Sequence, residues 1–173
     1  MASSMAAHGA ESRRGERPHM PNYGIAADAA GMLTWKWVDE QMAKARNYWI
    51  CTTRPDGRPH AAPVWGVWLD STLYFGSDRQ SRKVRNLTAN PAVVVHLESG
   101  DDTVIFEGTV EEVTDTSVQS RIAAAYAAKY PPFAPDPDPG PTGINYALRP
   151  HTVFAWREHD FPTSATRWQF PGR

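Results

Sequence analysis

A mainly-β domain, a small antiparallel barrel with flanking helices, is the fold that this sequence predicts. Three observations lead there. Strand-like runs rich in β-branched, aliphatic and aromatic residues follow one another, separated by short turn signals. Helical periodicity is confined to three stretches, one before the first strand, one between strands and one before the last. At 173 residues, with no internal repeat, the chain suits one domain with a real core.

Residues 1–30 are rich in Ala, Gly, Ser, Arg and Pro and lack a sustained period. They predict an extended or poorly ordered arm, with the single domain over 31–173. Thr34 is a candidate N-cap, and Leu33, Trp37, Val38, Met42 and Ala45 recur at helical spacing. Tyr48–Thr53 reads as a strand. Arg54-Pro55-Asp56-Gly57 reads as a turn, with Pro presetting φ and Gly accepting the positive φ. Arg58–Leu69 predicts one long second strand. Its Pro59 and Pro63 cannot donate ladder hydrogen bonds, so that part is an edge, is bulged, or faces something other than a strand. Gly66 would allow a bend or a close ligand approach. Asp70-Ser71 is a short hairpin turn into the strand Thr72–Phe75.

A short helix follows, with Ser81 as N-cap, Val84 and Leu87 on one face and Asn90-Pro91 as the stop. Ala92–Glu98 and Thr103–Val113 read as two strands around a turn at Ser99–Asp102, and Gly108 suits a barrel bend. Asp115 or Thr116 caps a second long helix, with Val118, Ile122, Ala125 and Tyr126 on one face. The prolines of 131–141 predict an exposed loop. His151–Arg157 is a final strand, and Phe161–Arg173 a tail carrying Arg167 and Trp168. Meander order is expected for the five or six strands.

Composition narrows the function. The net charge of -1 offers no global attraction to nucleic acid or anionic membranes, and backbone tracking needs a wide positive surface. Cys51 is the only cysteine, which excludes an intramolecular disulfide and a Cys-based zinc site. It fits a reducing compartment, and no apolar run is long enough to span a membrane, so a cytoplasmic location is expected. Arg13-Arg14 is not followed by the apolar region that a twin-arginine signal needs. The histidines offer no metal pair at helical spacing.

The positive charge is local. Arg79, Arg82, Lys83 and Arg85 cluster where a strand turns into a helix. A helix N-terminus presents unpaired N–H groups and the positive end of its dipole. Adding the Ser81 hydroxyl and the Arg82-Lys83 pair makes an anion pocket suited to phosphate. A solvated charged face is the alternative.

The blocks Asp56–Trp65, Leu73–Phe75, Ser81–Pro91 and Glu107-Gly108, in that order and spacing, resemble the split β-barrel flavin- and deazaflavin-dependent oxidoreductases, the pyridoxamine 5'-phosphate oxidase-like group. The resemblance spans roughly residues 45 to 113. It implies the FMN-binding split barrel, a homodimer with the cofactor between subunits, and a small-molecule substrate. It also implies that Ser81, Arg82 and Lys83 bind the cofactor phosphate and that the strand from Arg58 to Trp65 lies along the ring, giving Pro63, Val64 and Trp65 ring contacts. The tail Ala165–Phe170 lacks the Arg-x-His element that grips substrate phosphate in true pyridoxamine 5'-phosphate oxidases. The chain looks more like the actinobacterial branch that uses the deazaflavin F420, or a relative that uses FMN. Such cofactors carry the hydride themselves.

Several residues keep two readings. Arg58 pairs with an acid across its hairpin or meets the cofactor. Pro63, Val64 and Trp65 are barrel wall or ring contact. His60 is an ordinary strand histidine or a proton donor. Arg167 and Trp168 form a docked tail or a lid that stacks on a flat ring.

Overall fold

The computed structural model describes residues 13–170. Its order is α1 (Trp35–Lys44), β1 (Asn47–Thr53), β2 (Pro59–Trp65), β3 (Val67–Leu69), β4 (Thr72–Asp78), α2 (Arg82–Ala89), β5 (Ala92–His96), β6 (Asp102–Glu112), α3 (Thr116–Lys129), β7 (Gly143–Arg157), α4 (Phe161–Ser164) and β8 (Thr166–Gln169). The fold is the expected split antiparallel β-barrel with flanking helices. Among the described residues, no helix is long and apolar enough to cross a membrane.

Local chemistry sets the helix starts. Thr34, Ser81 and Asp115 each cap their helix through a side-chain oxygen that accepts a backbone N–H. The turns also form where expected. Gly57 sits at φ +83°, and its N–H donates to the Arg54 carbonyl at 2.8 Å. Asp70 and Ser71 both take positive φ, the geometry of a tight hairpin whose twist matches its strands. The Ser71 hydroxyl donates to Asp39 at 2.8 Å, which helps hold that conformation.

The strand order departs from the expected meander. The sheet runs β2-β1-β5-β6-β7-β4-β3, with β8 on β7. The long strand expected over Arg58–Leu69 is two strands. It breaks at Gly66, where a Cβ would lie 3.0 Å from the Tyr74 carbonyl oxygen and 3.1 Å from the Tyr48 ring. β2 pairs with β1, and β3 pairs with β4, at opposite ends of the sheet. The curled sheet is therefore joined across its ends by one covalent link at Gly66 rather than by a hydrogen-bonded ladder. Pro59 and Pro63 lie on β2, a sheet edge, which is one of the places a proline is tolerated.

The C-terminal third holds more strand than its composition predicts. β7 begins at Gly143, eight residues before the expected start, and the tail contributes β8. β7 pairs with β4, β6 and β8 along its length. Such long-range pairing gives residues like Arg149 and Pro150 a place in a ladder that local propensity does not supply. The described part of the arm is tied down as well. Glu16 and Arg167 exchange two backbone hydrogen bonds of 2.8 Å. The Arg17 guanidinium donates to the carbonyls of Asp28, Ala30, Thr163 and Ala165. Residues 1–12 of the expected arm and 171–173 of the tail lie outside the described residues.

The core fills the barrel with Tyr48, Ile50, Phe75, Val95, Phe106, Val153 and their neighbours. A second cluster lies under α3, built on Val67, Ile122, Tyr126 and Tyr130. At Gly108 the β6–β7 register shifts, and an added Cβ would come within 2.1 Å of the Arg149 carbonyl oxygen. Backbone, not a flexible side chain, occupies that space. Gly108→Ala is expected to cost about 3 kcal/mol and lower the Tm by roughly 6–12 °C, read by calorimetry.

Candidate functional site

The split of the barrel opens a cavity of about 550 Å³, within the range of small-molecule pockets. Two strands that do not hydrogen-bond to each other form its walls. β2 gives Pro63, Val64 and Trp65, and β4 gives Gly76, Ser77 and Asp78. Where the ladder is missing, α3 replaces it. The Tyr126 hydroxyl donates to the Trp65 carbonyl at 2.9 Å and accepts from the Gly76 N–H at 3.3 Å. The Tyr130 hydroxyl accepts from the Gly66 N–H at 3.1 Å, and its ring stacks on Trp65 with centroids 4.5 Å apart. Two tyrosines thus meet backbone groups that a closed barrel would have paired in its sheet.

At one end of the cavity stands the basic turn. Lys83 Nζ donates to Ser77 Oγ at 3.0 Å, and Ser77 Oγ lies 3.0 Å from Ser81 Oγ. Ser81 Oγ accepts from the Val84 N–H, and its carbonyl accepts from the Arg85 N–H, so the helix begins against the cavity wall. The amides of Arg82 and Lys83 fall in the turn that no helix can satisfy internally. Burial pushes the Lys83 ammonium below its usual pKa, and Asp78 acts weakly the other way. An anion beside it would relieve that penalty. Asn86, fully buried, anchors α2 to β1 by donating to Thr52 Oγ1 at 2.9 Å.

Five of the expected site residues meet in this cavity: Pro63, Val64, Trp65, Ser81 and Lys83. Four do not. Arg58 is exposed on the β1–β2 hairpin and holds Asp56 at 2.7 Å, the pairing left open by the sequence. Arg82 is exposed at the start of α2 and is not among the lining residues, and its charge is felt by His60. Arg167 is bound to Glu16 of the arm. Trp168 is 2% exposed and packs in the barrel core against Trp35. Within this chain the tail is docked, because β8 completes the sheet beside β7, and this favours the docked reading of Arg167 and Trp168. His60 points inward on β2 toward Thr52. Burial first, then Arg54, Lys83 and Arg82, lower its pKa.

Sequence reasoning missed the α3 wall and the loop above it. Gln119, Ile122, Tyr126, Phe133, Asp136 and Asn145 all line the cavity. The helical face through Ile122 and Tyr126 was legible as buried, but not what it would bury against. The proline content of 131–141 marked a loop without saying that it folds over a pocket.

Lys129, also missed, sits behind the Trp65–Gly66 link. Its ammonium donates to Tyr48 Oη and to the Gly66 carbonyl, each at 2.9 Å. Burial first, then Arg46, lowers its pKa from 10.5 to about 8. Between about pH 8 and 10.5 the unfolded chain holds a proton that the folded one has released, so stability rises with pH in that window. Below pH 8 the burial penalty is present in full. Lys83 contributes in the same direction. Urea unfolding at about pH 8 and about pH 9, below the range where the raised pKa values of Tyr48, Tyr126, Tyr130 and Tyr146 act the other way, is expected to show the rise, and Lys129→Met to show a smaller one.

Residues 35–157 match the family described as Pyridoxamine 5'-phosphate oxidase. No curated protein sequence matches the chain. Among solved structures, the chain is similar to the conserved hypothetical protein Rv2991 from Mycobacterium tuberculosis, at 22% identity and TM-score 0.65, over 77% of this chain and 89% of that one. It is also similar to a protein described as F420 Reductase, at 25% identity and TM-score 0.53, over 66% and 94% of the two chains. A third is the pyridoxamine 5'-phosphate oxidase-related, FMN binding protein from Nostoc punctiforme, at 19% identity and TM-score 0.55, over 75% and 82%.

Proposed function

Because this chain belongs to the pyridoxamine 5'-phosphate oxidase family over residues 35–157, we propose that it is a flavin- or deazaflavin-dependent oxidoreductase using F420 to reduce a small conjugated substrate. One observation carries the reading. Ser77, Ser81 and Lys83 converge at the start of α2, inside a cavity opened by the split of the barrel. Hydroxyls, an ammonium and free helix amides are the donor set that a cofactor phosphate requires. The similarity to an F420 reductase supports the choice of deazaflavin.

When bound, the cofactor supplies hydride transfer. The chain's part is to bind and orient. Lys83 and the first turn of α2 fix the phosphate end. Pro63, Val64 and Trp65 offer an apolar wall for the ring, and the proline removes one backbone donor from it. Tyr126 and Tyr130 hold that wall in place and keep water from the strand gap. The docked, His-free β8 gives no support to pyridoxal phosphate synthesis.

The chain is expected to work as a homodimer. Pro59 and Ala61 of edge strand β2 are exposed apolar residues outside the cavity, a surface that a second copy would cover. Light scattering at micromolar concentration checks this, and a monomer would count against it.

The test of function is titration with F420 and with FMN, followed by equilibrium binding and by the distinct visible bands of the two. F420 is expected to bind at least tenfold tighter, about 1.4 kcal/mol. Tight FMN binding without F420 would move the reading to an FMN enzyme. Oxidation of reduced F420 by a conjugated acceptor separates an enzyme from a storage protein, and binding of neither cofactor rejects the proposal.

A further inference from the structure

The charges lining the cavity are unevenly placed. Lys83 is the only lysine or arginine among the lining residues, and it stands at the Ser77–Ser81 end. With a phosphate on Lys83, the charged groups left on the lining are the carboxylates Asp78 and Asp136. Asp136 belongs to the proline-rich loop on the lining, and it is exposed, while the far end lies at Trp65 and Phe133. The Asp136 Oδ1 accepts the Asp138 N–H at 2.9 Å.

That far end is otherwise aromatic and apolar. Trp65 and Phe133 are 40% and 46% exposed, large values for such side chains. Their rings meet edge to face at 5.7 Å. Trp65 cannot turn away, because one face is stacked on Tyr130 and its carbonyl is held by Tyr126. Ile122 and Ala123 of α3 form the floor. Gln119 donates one amide hydrogen to the Val113 carbonyl at 3.1 Å, which leaves its acceptor oxygen and one N–H for a ligand. Arg46 lies 5.5 Å from the Trp65 ring but is not part of the cavity lining.

We propose that the space between Trp65, Phe133 and Asp136 is a substrate subsite for planar aromatic molecules that are neutral or cationic, and that it rejects anionic ones. The inference deepens the cofactor reading and rests on it, because it takes the Lys83 end as filled by cofactor phosphate. A flat ring finds an edge-and-face pair of aromatics of the kind that favours stacking. A donor or positive group on that ring finds Asp136 and the Gln119 oxygen. A carboxylate or phosphate would face two like charges, with no further lysine or arginine among the described lining residues to pair.

The test uses the full chain, alone and saturated with F420. The probes are quinoline, N-methylquinolinium and quinoline-4-carboxylate, titrated by calorimetry. The neutral and cationic probes are expected to bind about tenfold or more tightly than the carboxylate in the F420-bound protein. Phe133→Ala should weaken both by about fivefold. Asp136→Asn should bring the cation and the anion within about threefold of each other. Both variants should keep F420 affinity within about twofold of the parent, since neither side chain belongs to the phosphate end. The inference is overturned if the carboxylate binds as tightly as quinoline, if no probe binds either form, or if Phe133→Ala lowers F420 affinity as much as probe affinity. Failure of F420 to bind, with quinoline still favoured over the carboxylate and still lost in Phe133→Ala, would sink the cofactor reading and leave the subsite standing.

Discussion

Lys83→Glu is expected to lower affinity for a phosphate-bearing cofactor by more than about a hundredfold. The milder Lys83→Ala removes a charge-assisted hydrogen bond worth about 1.5–3 kcal/mol. That is roughly a tenfold to hundredfold loss. The glutamate adds a like charge beside the phosphate, next to the carboxylate of Asp78 already lining the cavity. Folding should barely change. Ser81 retains its cap on α2, and the Lys83 side chain makes only one hydrogen bond, to Ser77. Lys44, on the last turn of α1 and exposed, is the control: Lys44→Glu should leave binding alone. Titration of each variant with F420 and FMN reads the result. A Lys83→Glu protein that binds as tightly as the parent would return the basic turn to a solvated charged face.

The largest effect on stability is expected at Trp168. Truncation to alanine should cost about 3–5 kcal/mol and lower the Tm by roughly 6–20 °C. The indole is buried between β7 and α1, edge to face with Trp35 at 5.5 Å, and Gly15 of the arm lies against it. A phenylalanine should recover part of the loss. The experiment also separates the two readings of the tail. A lid would change ligand affinity and leave the Tm alone. A core strand does the reverse, so Trp168→Phe is expected to bind cofactor like the parent. Thermal unfolding and cofactor titration of the same preparations decide between them.

Arg167 and Trp168 show why the tail was hard to read. Both residue types stack on flat rings, and side-chain chemistry alone recommended them for a site. Their actual partners, Glu16 and Trp35, are far away in sequence, and nothing local announces a strand at Thr166–Gln169. Arg58 differs. Its acid partner within the chain is two residues away, in the same turn.

What the sequence determined by itself was local. Thr34, Ser81 and Asp115 cap their helices because a side-chain oxygen reaches an amide two or three residues on. Gly57 turns the chain through its own dihedral preference, while the Asp70-Ser71 turn also leans on the Ser71–Asp39 hydrogen bond. The basic turn after β4 is equally local, since its strand, cap and lysine lie within a few residues, and so it was legible as a strand feeding a capped basic helix. Tertiary structure alone decided the rest. That the second strand breaks at Gly66 and feeds opposite ends of one sheet depends on pairings across the whole chain. So does the gap between β2 and β4, and so do the tyrosines of α3 that fill it. Caps and turns are settled by atoms a few bonds apart. Which edge stays unpaired, and what covers it, is settled by burying the apolar faces of eight strands and four helices at once, and that balance places the cavity.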